Sequence, residues 1–596
     1  MITIPSKETK QFSQPNTGDT GGNLWSTYGI DLSANKGRVR TTRTLDVVDS
    51  LNINFTTLTT PAAFAFFNPG GVYSSAKVFI AYGGRPWYGS ATPESGWTNT
   101  VIGTNEPTST TTDVDMKVFN NKLYATTDAS PGKLKRMATA GSWTDITTIG
   151  SGLHILEVYA NRLYWTQDDY KIYSLNTSEV VASSSNTLQL TGRNGHISWM
   201  KGGSNRIWIG WTSNDGSRGS IFEWDGNSEN EYSKEYKIEA QGSCTCVIRN
   251  DIPHVLDTEG RLLAFNGSNF QEVARLPVTN EDYPLRNTVQ NSAQKLSHFN
   301  GGRLVGDKML FLINPLLSKN GTNEGYLENC QPGIWEYGER IGLYQKYSVS
   351  TSLISESPVF DYGQERLITV GALFDGSTSE TGSLFSTTRQ GNVLFGARTY
   401  RTTDDSPSLI GIDNTLDNKP KSSYFITQWL ESTQAEDVFK AIVVKYNKLL
   451  NTTDKIKIKY RTSKIDGQSV AVTWTSTTTF TTVISAMGDY EAGDEVEVTL
   501  GAGSGKCVNI IDISFVTGVY TVTLDEAVIG AVGDGNVKLQ HWKKLAEIQN
   551  TKQFSNLTLP QYNKDTKIQF KIIMEFTGKN ELEEVIIVNG TEQNAK

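Results

Sequence analysis

Down the first two-thirds of the chain, one four-residue pattern of polar and apolar positions recurs at intervals of about 40 to 58 residues. It reads small or polar, then charged or basic, then two apolar residues. The clearest copies are Ala76-Lys77-Val78-Phe79, Asn121-Lys122-Leu123-Tyr124, Asn161-Arg162-Leu163-Tyr164 and Asn205-Arg206-Ile207-Trp208. Weaker ones stand at Asp307-Lys308-Met309-Leu310 and Glu365-Arg366-Leu367-Ile368, and a degenerate one at Asp251-Ile252-Pro253-His254 fits the spacing. Most markers are followed by a second apolar run that ends in a turn, as at Ile221-Phe222-Glu223-Trp224-Asp225-Gly226 and Leu262-Leu263-Ala264-Phe265-Asn266-Gly267. Asp-Gly and Asn-Gly supply the positive φ that tight β-turns need. Repeats of this length built only from short strands predict the four-stranded blades of a β-propeller, because one blade cannot bury both faces alone. Counting the degenerate copy gives seven blades. Pro253 and the longer later spacings leave six blades plus an insertion open. The predicted ring is residues 51–415.

The residues before it, 1–50, read as a polar N-terminal arm carrying Leu24-Trp25-Ser26-Thr27-Tyr28 and the basic Gly37-Arg38-Val39-Arg40. Such an arm is either disordered or ordered by something outside the domain. The alternative is that it donates a strand to the last blade. After the ring the pattern changes to long alternating strands, of which Lys455-Ile456-Lys457-Ile458-Lys459-Tyr460-Arg461 is the strictest. Strict alternation predicts half-buried strands, here of a β-sandwich in two parts, 416–485 and 541–596. Between them, the Gly-rich segment 486–540 predicts an inserted small SH3-like barrel. The fold class expected is therefore all-β throughout.

Composition adds limits to function. The formal charge of −8 supplies no overall basic field for sequence-independent nucleic-acid binding. The first 20 residues lack the apolar run of a secretory signal, and no stretch approaches the ~18 to 20 apolar residues that cross a bilayer, so a protein made in the cytoplasm and not exported by that route is expected. Four cysteines, Cys244, Cys246, Cys330 and Cys507, are too few and scattered for a disulfide framework or zinc site. Cys244 and Cys246 are expected on one side of one strand as small core residues.

Candidate chemistry is sparse. His154, His196, His254, His298 and His541 form no spaced metal-ligand set, and neither a nucleophile elbow nor a zinc-protease helix is visible. Asp168-Asp169, Asp225, Asp257 and Asp404-Asp405 could supply the paired carboxylates of a propeller glycosidase, but Asp in polar loops is ordinary turn chemistry. The loop 501–506 resembles a phosphate cradle only superficially, since Cys507 replaces the Ser or Thr that would hold magnesium and no helix follows. Trp87, Trp143, Trp165, Trp208, Trp211, Trp224 and Trp335 could stack on sugars, although Trp208, Trp224 and Trp335 fall in the repeat and read more simply as packing between blades. Trp97, in a turn, keeps the lectin reading open. The expectation is a non-enzyme with no catalytic residue, cofactor or metal site.

The layout, with its closing strands Phe439-Lys440-Ala441-Ile442-Val443-Val444, Val472-Thr473-Trp474 and Ile568-Gln569-Phe570-Lys571-Ile572, resembles the propeller-bearing tail proteins of tailed bacteriophages, of the head-to-tail stopper, hub or nozzle kind. The barrel insertion departs from the simplest members. That resemblance implies a structural virion protein, assembled in the host bacterial cytoplasm as a ring of copies that forms or gates the DNA conduit. Its implied partners are other virion proteins, copies of itself, and passing DNA without sequence specificity. The competing function is a carbohydrate-binding host adhesin built on the propeller.

Overall fold

The computed structural model describes residues 2–4, 24–32, 38–41, 45–50, 63–67, 77–82, 85–89, 107, 115–127, 131–138, 142–150, 153–183, 185–276, 296–305, 307–315, 317–319, 322–325, 330, 332–339, 341–348, 367–375, 393–400, 406–412, 423–431, 437–446, 454–462, 469–484, 487, 490–500, 506–528, 530–531, 533–549, 554–558, 567–576 and 581–591. Every long regular element among them is a strand. The chain divides into two compact units. One comprises residues 45–339 and 365–415, the other residues 1–44, 340–364 and 416–596.

The first unit is propeller-like. Consecutive antiparallel strands make its sheets, for example Met116–Phe119, Lys122–Thr126, Lys133–Met137 and Trp143–Thr148, or Gly195–Gly202, Ile207–Ser213, Ser220–Trp224 and Lys234–Lys237. The turn before each second strand explains the recurring pattern. Asn120 and Asn121, Ala160 and Asn161, and Asn250 and Asp251 all have positive φ of 45–63°. They are two-residue hairpin loops, with Phe119 opposite Lys122, Tyr159 opposite Arg162 and Arg249 opposite Ile252. Two successive positive φ values define the turn whose twist matches that of the strands, and Asn and Asp tolerate them best.

The apolar positions of the pattern follow as the second strand. Leu123, Leu163 and Ile207 are fully buried. The side chain of Val78, expected at the equivalent place, lies outside the described residues. Leu163 packs with Phe119, Tyr124, Leu134, Leu156 and Leu175, so its cluster joins two successive sheets. The copy at 365–368 behaves differently: Leu367 opens the first strand of its sheet, and the second strand is Val393–Tyr400.

Seven first strands succeed one another: Ala63–Phe67, Met116–Phe119, Leu156–Tyr159, Gly195–Gly202, Ser243–Arg249, Gly302–Val305 and Leu367–Asp375. Each lies beside the next, and Leu367–Asp375 lies beside Ala63–Phe67, so the series returns on itself. The sheet of Leu367–Asp375, Val393–Tyr400 and Ser406–Ile412 takes its fourth strand from Leu45–Ser50, with Asp46 opposite Gly411. This is the strand donation weighed as the alternative for the N-terminal segment.

In the second unit the rest of that segment is integrated, which differs from a free arm. Ile2–Ile4 pairs with residues 585–587, Leu24–Tyr28 with residues 424–427, and Val39–Thr41 with Glu581–Thr591. Two sheets share one core that contains Leu24, Ile30 and Val39 beside Ile442, Val444, Ile456, Ile458, Phe570, Ile572 and Val585. Gly342–Ser348, within the expected ring bounds, is hydrogen-bonded as the fourth strand of the sheet of Gly302–Val305, Lys308–Ile313 and Gly333–Gly338; residues 340–364 nevertheless group by compactness with this second unit, where Gly29 N donates to Lys346 O at 3.0 Å. Pairing partners this distant in sequence leave no local signal.

Six strands close a small barrel here: Gly533–Ile548, Ser469–Ser476, Thr479–Thr482, Val519–Leu524, Cys507–Val516, Asp494–Leu500, and back to Gly533–Ile548. Val470, Val472, Trp474, Phe480, Val496, Ile510, Val522 and Val537 fill it. The pairing begins at Ser469, earlier than the expected 486, because Val470, Val472 and Trp474 alternate into the barrel interior. Gly533–Ile548 runs on past the barrel and pairs residues 543–548 with Lys455–Arg461, so one strand serves both sheets.

Candidate functional site

The register places a set of charged side chains at equivalent points of the ring. Opposite the fourth residue of each pattern, on the first strand of the sheet, stand Ala65, Lys117, Glu157, Lys201, Val247 and Arg303. Four of these six are charged, on strands that otherwise carry core residues. Lys117 Nζ lies 3.6 Å from Glu157 Oε2, with the two side chains only 12% and 13% exposed. Glu157 also accepts from Gly202 N at 3.2 Å.

Two residues before Lys117, the fully buried Asp115 ties three sheets together. Its Oδ2 accepts from Leu156 N at 2.7 Å, and its Oδ1 from Asn300 Nδ2 at 2.9 Å. The Asp115 and Asn300 sheets stand three and four steps apart around the series, so this bond crosses the axis. Burial pushes the Asp115 carboxyl up, opposed by Lys117, the Leu156 and Asn300 bonds and Lys201. Burial pushes the Lys201 ammonium down, and Lys117 and Arg303 act the same way against Glu157 and Asp115. Lys201 keeps partial exposure, and among the described residues no acceptor lies within hydrogen-bonding reach of it.

The candidate carboxylates are used in their own turns. Asp225 accepts from Asn227 N, Ser228 N and Ser228 Oγ, each at 2.8 Å. Asp257 accepts from Glu259 N and Arg261 N at 2.9 Å and Arg261 Nε at 2.7 Å. Asp168 pairs with Lys171 at 3.0 Å, and Leu153 N donates to Asp169 at 3.4 Å. Asp404 and Asp405 lie outside the described residues. His154 and His254 engage the carbonyls of Thr166 and Ile252, His196 engages Asn214, and His298 accepts from Asn300 N. The His541 side chain is outside the described set. No group of three or more His, Cys, Asp or Glu fit for a metal occurs among the described residues.

Of the aromatic candidates, Trp143, Trp165, Trp208, Trp211, Trp224 and Trp335 are buried. Trp208 packs on Phe265 at 5.0 Å and edge-on to Phe270 at 5.7 Å, across two sheets. Rings consumed by packing offer no face to a sugar. The side chain of Trp87, all of Trp97 and the loop 501–505 lie outside the described residues. A bulge at Cys244 interrupts the alternation of its strand, which leaves Cys246 in the core and Cys244 half-buried; elsewhere Cys330 is buried and Cys507 exposed.

The barrel carries a surface that sequence reasoning missed. Cys507–Val516 and Val519–Leu524 form a hairpin turned by Thr517 and Gly518, both at positive φ. It exposes Ile511 midway along its first strand and Phe515 and Val516 at its end, the last two at 59% and 65%, and Phe515 rests on Tyr520 at 4.5 Å. Leu500 and Val483 are also exposed on the barrel. Apolar clusters left to solvent usually mark contact sites. The signal in the sequence was the run Ile513-Ser514-Phe515-Val516-Thr517-Gly518-Val519, apolar up to and across a tight turn.

No family model and no curated protein matches the chain. Solved structures with partial similarity include the N-terminal domain of Nup159 (11% identity, 65% of this chain and 99% of that one, TM-score 0.33). Others are BamB from Moraxella catarrhalis (10%, 62% and 99%, TM-score 0.29) and a computationally designed protein, Ika8 (12%, 59% and 96%, TM-score 0.29). Scores this low carry no argument, and the propeller-like architecture rests on the chain's own strand pairing.

Proposed function

We propose that the ring unit is a seven-bladed β-propeller, that the second unit is a β-sandwich bearing a small SH3-like barrel, and that the chain is a structural virion protein of a bacteriophage tail or head-to-tail connection. It works by assembly with copies of itself and other virion proteins, built in the host bacterial cytoplasm. The observation that carries this reading is the barrel hairpin that exposes Ile511 along its strand and Phe515 and Val516 at its end, apolar residues suited to burial against another subunit. In this reading the DNA conduit is formed between copies, and the Asp115–Asn300 bond between distant sheets of one ring is consistent with that. The acidic charge of −8 would keep such a conduit from holding the passing polyanion. The adhesin reading loses six of its stacking platforms to the core.

Electron microscopy of the native particle with this chain tagged tests the proposal. Several tagged copies around the tail axis are expected. Tags absent from particles, or only at distal fibre tips, contradict it.

A further inference from the structure

The barrel hairpin leaves one edge of its first strand open. Residues 510–516 of that strand pair with Val519–Leu524, but on the other side pairing with Asp494–Leu500 covers only Cys507 to Asn509. Beyond Asn509, Gly493 N still donates to Ile510 O at 2.7 Å. Gly493 has a φ of 95°, which turns its chain away, and among the described residues no strand pairs with 511–516 on that side. The turn decides which groups this edge offers. Thr517 and Gly518 form a two-residue loop, so Val516 and Val519 exchange both of their backbone bonds, and Ser514 and Thr521 do the same. The alternate residues Ile513 and Phe515 therefore direct N–H and C=O outward. Bare edges are usually guarded by Lys, Pro or a bulge. Here a bulge at Ile511 and the charge of Asp512 guard the start, and residues 513–516 carry neither charge nor proline.

From this geometry we infer that a second copy of the chain covers the edge, the two hairpins joining strand to strand, antiparallel, across a two-fold axis at Ser514. In that register Ile513 of each copy lies opposite Phe515 of the other, and every outward N–H and C=O of these residues finds a partner. Ile513 beside Phe515 is a β-branched and aromatic pair of the kind that stabilises sheets, and it covers a ring now 59% exposed. On the opposite face Ser514 meets its own copy and Asp512 meets Val516, so no like charges are opposed. The edge thus fits itself in hydrogen bonds, side chains and charge, which selects a second copy over a foreign strand. The inference rests on the assembly reading for the role of this hairpin and names the partner it takes. A short edge falls below the ~800 Å² per partner of a stable interface, so pairing should depend on concentration.

The test uses the full chain. Sedimentation over a concentration series should show a reversible monomer–dimer equilibrium, weakened about tenfold or more in Phe515→Pro. Proline there removes an outward N–H and breaks no bond within the hairpin. Register is read by diamide oxidation in a Cys507→Ser chain, which lacks the exposed native thiol. Ser514→Cys should give a disulfide-linked dimer, since facing residues of a non-hydrogen-bonded pair stand ~4.5 Å apart at Cα, within disulfide reach. Asp512→Cys, set ~13 Å from its copy along the strands, should link at least about tenfold more slowly. A monomer at every concentration, a dimer unchanged in folded Phe515→Pro, or equal oxidation at 512 and 514 overturns the inference. So does a chain monomeric in solution whose edge is covered only in particles, which assigns the edge to another virion protein. A solution dimer of a chain absent from particles keeps this inference and removes the assembly reading; a monomeric chain present in particles does the reverse.

Discussion

The ring and the second unit are built from the same strands by opposite means. In the ring, the strands of each described sheet lie near one another in sequence, several joined by two-residue turns, and only Leu45–Ser50 comes from far away. In the second unit, Glu581–Thr591 pairs with Ile2–Ile4, Val39–Thr41 and Asp437–Tyr446, so one sheet is assembled from both ends of the chain. Local pairing pays little loop-closure entropy, whereas distant pairing must pay it before any contact rewards it. The ring should therefore tolerate loss of the termini, and the second unit should not.

Removal of residues 1–32 gives the sharpest break. It takes Leu24, Ile30 and Leu32 out of the shared core together with three strands, Ile2–Ile4, Leu24–Tyr28 and Ile30–Asp31. We expect the second unit to lose cooperative unfolding while the ring keeps its own transition, read by calorimetry with two resolved transitions in the intact chain. Survival of both transitions would contradict the contrast. Next comes Leu163→Asp, which places an unpaired carboxylate between two ring sheets and should cost about 3 to 5 kcal/mol in denaturant unfolding.

Comparable in size is Glu495→Ala in the barrel. Glu495 is buried against Lys459 and near Lys571 of the adjoining sheet strands. Burial pushes its carboxyl up, but the Lys459 and Lys571 ammonium groups outweigh this and hold it below the usual range. Leaving Lys459 buried without its partner should cost about 3 to 5 kcal/mol, and Glu495→Gln less.

The smallest effect is set by pH in the ring. Glu235 is raised by burial yet held at about 2 by the Arg193 fork at 2.6 and 2.8 Å, Lys237 and Ser220. Its folded value lies below the unfolded one of about 4.3. The stability it contributes is present above pH ~4.3 and is lost as pH falls toward 2, amounting to about 1 to 3 kcal/mol after allowance for solvent. The stability difference between wild type and Glu235→Gln should shrink by about half between pH 7 and pH 3. A constant difference would refute the assignment.

The same contrast explains what could be read in advance. The pattern Asn121-Lys122-Leu123-Tyr124 is a turn and strand in one, so turn chemistry and alternation revealed the ring and its repeat. Even the charges on the first strands were within reach: Lys117, Glu157, Lys201 and Arg303 each stand seven residues before the fourth residue of a pattern. What stayed hidden depended on distant partners. Leu24–Tyr28 looked like an arm because its partner lies about 400 residues on, opposite Tyr424 to Thr427. Val470, Val472 and Trp474 alternate as well for a sandwich as for a barrel, and only the partner strand at 533–538 decides. Asp257 and Asp225 could be offered as glycosidase carboxylates only because a carboxylate in a turn and one in a site share the same sequence neighbourhood, and the turn chemistry preferred for them is what their hydrogen bonds show.

If the ring is a self-closed scaffold and the barrel hairpin is the assembly surface, the two roles separate by mutation. The decisive measurement is incorporation of a Phe515→Asp, Val516→Asp chain into phage particles, compared with wild type in the same complementation assay. Both residues are exposed, so unfolding stability should stay within about 0.5 kcal/mol of wild type. The account predicts a folded chain missing from particles. Normal incorporation of that chain would contradict it.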